Sequence, residues 1–293
     1  MDEDTEEGQG SLLSCLFLLG AMMAYTVLAL DLDGTLTNSK KQVTSRSKEA
    51  IQAASDRGVC IVLASGRPVL GIAPIAKELD LFGKNAYMLA YNGAQLVSCE
   101  TGRVVWERTV SLQAIQSTFA YARSQHLAAL AYDEVGVITE MSEDRYVFQE
   151  AFNNAIPIRS VDDLAEEIKT PQPKVMIVGD PLRLQVAQKE LQTALGNLAD
   201  VSFSEPYFME ITAKGVQKAS SLDVLLELLK TSREHLMVIG DGLNDIPMLD
   251  IASMAVVMDN ASEDVKAHAK DITTSNDEEG VALAIEKHIL SLV

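Results

Sequence analysis

Asp31 and Asp33 stand two residues apart behind an apolar run, Val27-Leu28-Ala29-Leu30, and Gly34-Thr35 follows them. Alternate residues of an extended segment point the same way, so the two carboxylates can share one site. Close carboxylates repel, and the pair therefore calls for a cation, a shared proton, or separate acid and base roles. A polar turn is the bland explanation, yet Asp-x-Asp-Gly-Thr arises by chance at only about one in 10⁵ positions at average residue frequencies.

A second acidic loop, Gly240-Asp241-Gly242-Leu243-Asn244-Asp245, follows Met237-Val238-Ile239 in the same manner. If the two apolar runs are adjacent strands, their ends bring this loop to Asp31. Magnesium takes oxygen ligands in an octahedron and keeps several waters, so Asp31, Asp241 and one backbone carbonyl suffice, with Asp33 and Asp245 beside them. A calcium loop is the rival, but the spacing does not match an EF-hand. Ser65-Gly66-Arg67-Pro68 follows a third apolar run, where a hydroxyl and exposed backbone donors suit a phosphate at a helix start. Lys218, opening a helical pattern, can supply a compact positive charge for phosphoryl oxygens.

The elements that must hold these residues follow an α/β grammar. Strand-like Thr26 to Leu30 and Val59 to Ala64 alternate with helical Ser45 to Arg57 and Val69 to Leu79. The pattern returns with a helix from about Val216 to Leu229, a strand from Leu236 to Ile239 and a helix after Asn244. Such alternation predicts crossover units and a Rossmann-like parallel-sheet core in two halves, 23–106 and 206–293. Residues 107–205 carry helices at Leu112 to Ser124, Glu143 to Asn153 and Leu182 to Leu195, with strands at Leu127 to Tyr132 and Lys174 to Val178. They are predicted to form an inserted α+β cap domain.

Composition narrows the partners. The 293 residues include 24 basic and 42 acidic side chains, a net charge of −18, without a basic stripe. Such a surface repels phosphate backbones, which speaks against nucleic acid. Cys15, Cys60 and Cys99 have neither paired spacing nor a histidine cluster, as expected in a reducing cytoplasm and not of a disulfide or zinc framework. At the amino terminus five acids within residues 2–7 precede a stretch without charge from Gly8 to Leu30. The acidic front is unlike a signal peptide, and Leu12 to Ala24 is too short to span a bilayer. Residues 1–22 are therefore expected to be a dispensable extension, with Met22 or Met23 as the natural start.

Taken in order, these segments resemble the haloacid dehalogenase-like superfamily, specifically its Cof-type branch with a type IIB cap, over essentially Ala24 to the end. Asp31 to Thr35 look like the first motif, Ser65 to Arg67 the second, Lys218 the third, and Gly240-Asp241 through Asn244-Asp245 the fourth. Tyr91-Asn92-Gly93-Ala94 and Ser204 to Ile211 resemble two further Cof-type segments. Lys214 is a nearby alternative for the third motif. The resemblance implies a magnesium-dependent phosphatase acting on small phosphorylated metabolites, sugar phosphates foremost. Asp31 would be the nucleophile and Asp33 the acid and base. Ser65, Gly66, Lys218 and Asn244 would hold the phosphoryl group, Asn244 against the oxygens or Ser65, and Arg67 and Asn92 would face the substrate or cap. A phosphomutase of the same fold, or a binder without turnover, would share these residues. The specificity residues of the cap and the oligomeric state are not legible.

Overall fold

The computed structural model describes residues 24–291, so the expectation for residues 1–22 lies outside the described residues. Fourteen strands fall into two sheets. The first contains β1 (Val27–Leu30), β2 (Cys60–Ala64), β3 (Ala86–Ala90), β4 (Gln95–Ser98), β5 (Val104–Glu107), β12 (Leu236–Gly240), β13 (Met254–Val257) and β14 (Asp271–Ile272), in the order β14-β13-β12-β1-β2-β3-β4-β5. All pairings from β14 to β3 are parallel, and β4 and β5 close one side as antiparallel strands.

From β1 the chain winds outward through β2 and β3, and it returns on the other side through β12 and β13. The carboxyl end of β1 is thus the point where the winding direction reverses, and in open α/β sheets that is where a crevice opens. Helices α1 (Ser45–Asp56) and α2 (Val69–Glu78) connect β1 to β3. Apolar residues pack on both faces of the sheet, with Leu28 and Leu30 on one side and Val27 and Ala29 on the other. Burial on both faces explains why β1 reads as an unbroken apolar run and not as an alternation.

The second sheet holds β6 (Ala128–Tyr132), β7 (Val137–Thr139), β8 (Ile158–Ser160), β9 (Lys174–Val178), β10 (Asp200–Glu205) and β11 (Phe208–Thr212), in the order β10-β11-β9-β6-β7-β8. Helices α3 (Leu112–Ser124), α4 (Arg145–Asn154), α5 (Leu164–Glu167) and α6 (Pro181–Leu195) accompany it. Here the strands alternate. Ala129, Ala131, Val175 and Ile177 pack with residues of α3 and α6, while Leu130, Tyr132, Met176 and Val178 join the core that contains β1 and β2. The boundary expected at residue 206 needs correction, because β11 pairs antiparallel with β9 from Phe208↔Val178 to Thr212↔Lys174. The chain leaves the second sheet after Thr212 and enters α7 (Lys218–Leu228) of the first unit.

Candidate active site

Asp31 follows β1 directly, and its amide donates to the Ile239 carbonyl of β12 at 3.0 Å. This bond carries the parallel ladder one residue beyond β1 and brings the two acidic loops together. Asp31, Asp241 and Asp245 each present a carboxylate oxygen, all within 4.8 Å of one another. Gly34 permits the packing: its φ is +84°, and a Cβ there would stand 2.3 Å from Asp241 Oδ2. Any other residue would face both a strained backbone and a collision with the site. The Thr35 hydroxyl donates to Asp241 Oδ1 at 2.7 Å, a contact that sequence reasoning left unassigned although Thr35 lies inside the motif.

Lys218, the first residue of α7, is 1% exposed. Its ammonium donates to Asp31 Oδ1 at 2.5 Å and to Asp245 Oδ1 at 2.7 Å. Lys214, the alternative, is exposed and pairs with Asp200 instead. Asp245 Oδ2 accepts from the amides of Asp241 and Gly242 at 3.0 and 2.9 Å, which fixes the loop that presents Asp241. Asp245 is therefore a positioning group with both oxygens engaged.

The electrostatics follow from this crowding. Burial, then Asp245, raise the Asp31 carboxyl well above its usual range against the opposing pull of Lys218. Burial and Asp245 push Asp241 up to about 6, although the Thr35 hydrogen bond works the other way. Burial alone would lower the Lys218 ammonium, but Asp245 and Asp31 outweigh it and hold the proton in place. Three carboxyl groups face one ammonium in a desolvated pocket, and ionised together they would carry two negative charges in excess. A hard divalent cation fits that donor set.

Asp33 departs from the expected metal group. Its carboxylate takes a two-pronged ion pair from Arg67, Nε at 2.7 Å and Nη2 at 2.6 Å, and a third bond from Lys41 at 2.7 Å. Burial would raise this carboxyl, but Arg67 and Lys41 together lower it to about 2. The Asp33 side chain is thus neutralised by cations of the chain, which leaves its backbone, and not its carboxylate, for a metal. Arg67, expected toward the substrate or cap, lines the cleft with its guanidinium paired to Asp33.

Ser65 is buried behind β2, and its Oγ accepts from the Arg67 amide at 3.2 Å. Asn244 does not reach Ser65. Its side-chain amide donates to Asn92 Oδ1 at 3.1 Å, while the Asn92 amide nitrogen donates to Glu210 Oε2 at 3.1 Å. Glu210 Oε1 in turn accepts from Lys174 at 2.8 Å, and Lys174 also donates to the Gly66 carbonyl at 3.0 Å. Sequence reasoning missed this relay. The available signal was one charged residue in each of two otherwise uncharged strands, Lys174-Val-Met-Ile-Val and Phe-Met-Glu210-Ile-Thr. Tyr91, Asn92 and Gly93 all have positive φ (53°, 55° and 103°), so the turn that aims Asn92 is held in a sparsely populated conformation.

These groups line a cleft of about 840 Å³ that contains Asp31, Asp33, Ser65, Lys218 and Asn244 from the first unit and Lys174, Tyr207 and Glu210 from the second. The Asp31 carboxylate, the Lys218 ammonium and the Ser65 loop thus stand in one crevice, with Asp241 and Asp245 carboxylate oxygens within 4.8 Å of that of Asp31. The profile of haloacid dehalogenase-like hydrolases matches residues 28–285. The chain belongs to that family. Among haloacid dehalogenase-like proteins, a hydrolase from Bacteroides thetaiotaomicron shares its fold with a TM-score of 0.87 and 43% identity, over 90% of this chain and 99% of its own. YxeH of Bacillus subtilis is 30% identical over 270 residues, 91% of this chain and 99% of its own. The subclass IIB sugar phosphatase BT4131 has a TM-score of 0.75 at 24% identity, covering 92% of this chain and all of its own, a likeness of fold. The chain is accordingly a haloacid dehalogenase-like hydrolase, with the α/β core and α+β cap expected of that fold. Among the described residues no helix is long and apolar enough to cross a membrane.

Proposed function

We propose that this phosphatase hydrolyses small phosphorylated metabolites, sugar phosphates foremost, through an aspartyl phosphate on Asp31 in a magnesium-dependent reaction. The observation that carries the reading is the Lys218 ammonium held between Asp31 and Asp245 while Asp241 stands beside them with no cation of its own among the described residues. Asp31, Asp241 and a backbone carbonyl of the Asp31-to-Asp33 turn would hold magnesium, which when bound supplies charge for the phosphoryl oxygens.

Asp31 attacks phosphorus in line, the bond from phosphorus to the leaving oxygen breaks, and Asp33 gives that oxygen a proton. Water then attacks the aspartyl phosphate, Asp33 takes its proton, and the Asp31 carboxylate returns. Asp33 as it stands is an ionised partner of Arg67 and Lys41, so it has to leave that ion pair before it can act as an acid. Lys218 keeps the Asp31 carboxylate oriented and offsets its approach to an anionic phosphate. Ser65 and the nearby backbone donors receive the transferring oxygens. The cap covers the crevice and excludes water from the reacting atoms.

The test is phosphate release from a panel of sugar phosphates, nucleotides, flavin mononucleotide and pyridoxal phosphate, with and without magnesium, for wild type and Asp31→Asn. Release that needs both magnesium and Asp31 supports the reading. Unchanged release by Asp31→Asn defeats it.

A further inference from the structure

Glu150 on α4 is 6% exposed and lines the same cleft as Asp31. Its Oε1 accepts two hydrogen bonds, from the Tyr132 hydroxyl at 2.6 Å and from the Asn154 side-chain amide at 2.9 Å. Two donors thus converge on one oxygen of the side chain. Tyr132 stays a donor, because burial and the Glu150 charge push its hydroxyl well above the usual range.

The other oxygen, Oε2, has no donor among the described residues. It is not sealed either, since the one buried and unpaired side-chain polar atom among the described residues is Asn154 Oδ1. Nor does a cation among the described residues answer Glu150. Lys41 and Arg67 are paired with Asp33, Lys174 with Glu210, and Lys218 with Asp31 and Asp245. A largely desolvated carboxylate with one satisfied oxygen and one open to a substrate cleft is costly unless a ligand completes it.

We infer that Glu150 is a specificity-determining residue, whose Oε2 accepts a hydrogen bond from a hydroxyl or ammonium group on the leaving group and repels leaving groups that carry a second anion. The inference rests on the phosphatase reading of the cleft, and it adds which end of the substrate Glu150 recognises and what it rejects. A purely structural role, bracing α4 against β6 through Tyr132, requires only Oε1. The isosteric Glu150→Gln keeps an acceptor for Tyr132 and Asn154 but turns the cleft-facing group from acceptor to donor, which separates the two roles.

The experiment uses turnover of p-nitrophenyl phosphate with magnesium as a readout of the reacting centre, and measures inhibition constants of glucose 6-phosphate, glucosamine 6-phosphate and 6-phosphogluconate against it. Wild type is expected to bind the first two more tightly than 6-phosphogluconate. In Glu150→Gln that preference should shrink by roughly tenfold or more, with p-nitrophenyl phosphate turnover within about twofold of wild type. Tyr132→Phe, which keeps the carboxylate, should retain the discrimination and guards against misreading a folding defect. An unchanged preference in Glu150→Gln, or failure of glucose and glucosamine 6-phosphates to compete in wild type, overturns the inference. Absence of p-nitrophenyl phosphate hydrolysis in wild type would instead fell the phosphatase reading on which it stands.

Discussion

The Lys218 ammonium meets the Asp31 carboxylate at 2.5 Å across a separation of 187 residues, at the point where the two halves of the parallel sheet join. The same ammonium reaches Asp245, so one buried cation ties the β1 loop to the β12 loop. That tie makes Lys218 both structural and chemical, and the two contributions can be separated.

Lys218→Met should lower kcat by at least ~10²-fold through loss of a donor at the reacting centre. It should also destabilise the chelated protein by about 3 kcal/mol, because Asp31 and Asp245 lose their buried counter-charge. Urea denaturation in chelator measures the second effect. A variant as stable as wild type would mean that the lysine does not neutralise the pair.

Magnesium should stabilise the fold without any substrate present. At about 100 times its dissociation constant, an ion that binds only the folded state adds about 2.7 kcal/mol. Thermal melts with and without magnesium report this, and Asp241→Asn should abolish most of the increment while leaving the chelated protein folded. An equal increment in Asp241→Asn would remove Asp241 from the ion's ligands.

Asp33 gives a pH signature of stability. Its folded carboxyl lies at about 2 against an ordinary value of 3.8, lowered by Arg67 and Lys41. A depressed carboxyl contributes stability that is present above the unfolded value and is lost as pH falls through the folded one. In chelator, the stability gap between wild type and Asp33→Asn should therefore be open at pH 5 and close toward pH 2. The group is partly exposed, so the gap is small, and a gap constant over that range would contradict the ion pair.

Lys174 and Glu210 form a buried pair that also holds Gly66 and Asn92. Lys174→Met alone should cost about 3–5 kcal/mol, since it strands a buried carboxylate, whereas Lys174→Met with Glu210→Leu should recover most of it. Both variants should weaken turnover, because each releases the relay to Asn244. Equal stability of the single and double variants would show that the charge of Glu210 is satisfied from elsewhere.

How far the sequence reached follows from these same residues. Helix α3 was legible to its ends, because a serine cap and a one-sided apolar stripe are local signals. The acidic loops were legible because they punctuate buried strands. Strand β11 was assigned to the wrong unit, since a strand with every residue buried carries no alternation to say which sheet it joins. Asn92, expected toward the substrate or cap, bonds Glu210 of the second sheet, but that partner lies 118 residues away and the aim depends on a left-handed turn, neither of which the sequence displays. For Asp33, charge repulsion argues for a cation near its carboxylate without saying which one. Here two cations of the chain, Arg67 and Lys41, occupy it.

The most direct test of the central claim is to trap the covalent intermediate. Magnesium-loaded protein is mixed with p-nitrophenyl phosphate, quenched in acid within the first turnover, digested, and the peptide carrying Asp31 is weighed. One added phosphoryl group on that peptide, labile to hydroxylamine and absent in Asp31→Asn, is the predicted result. Turnover that proceeds in Asp31→Asn, or a phosphoryl group on any other residue, would contradict the account.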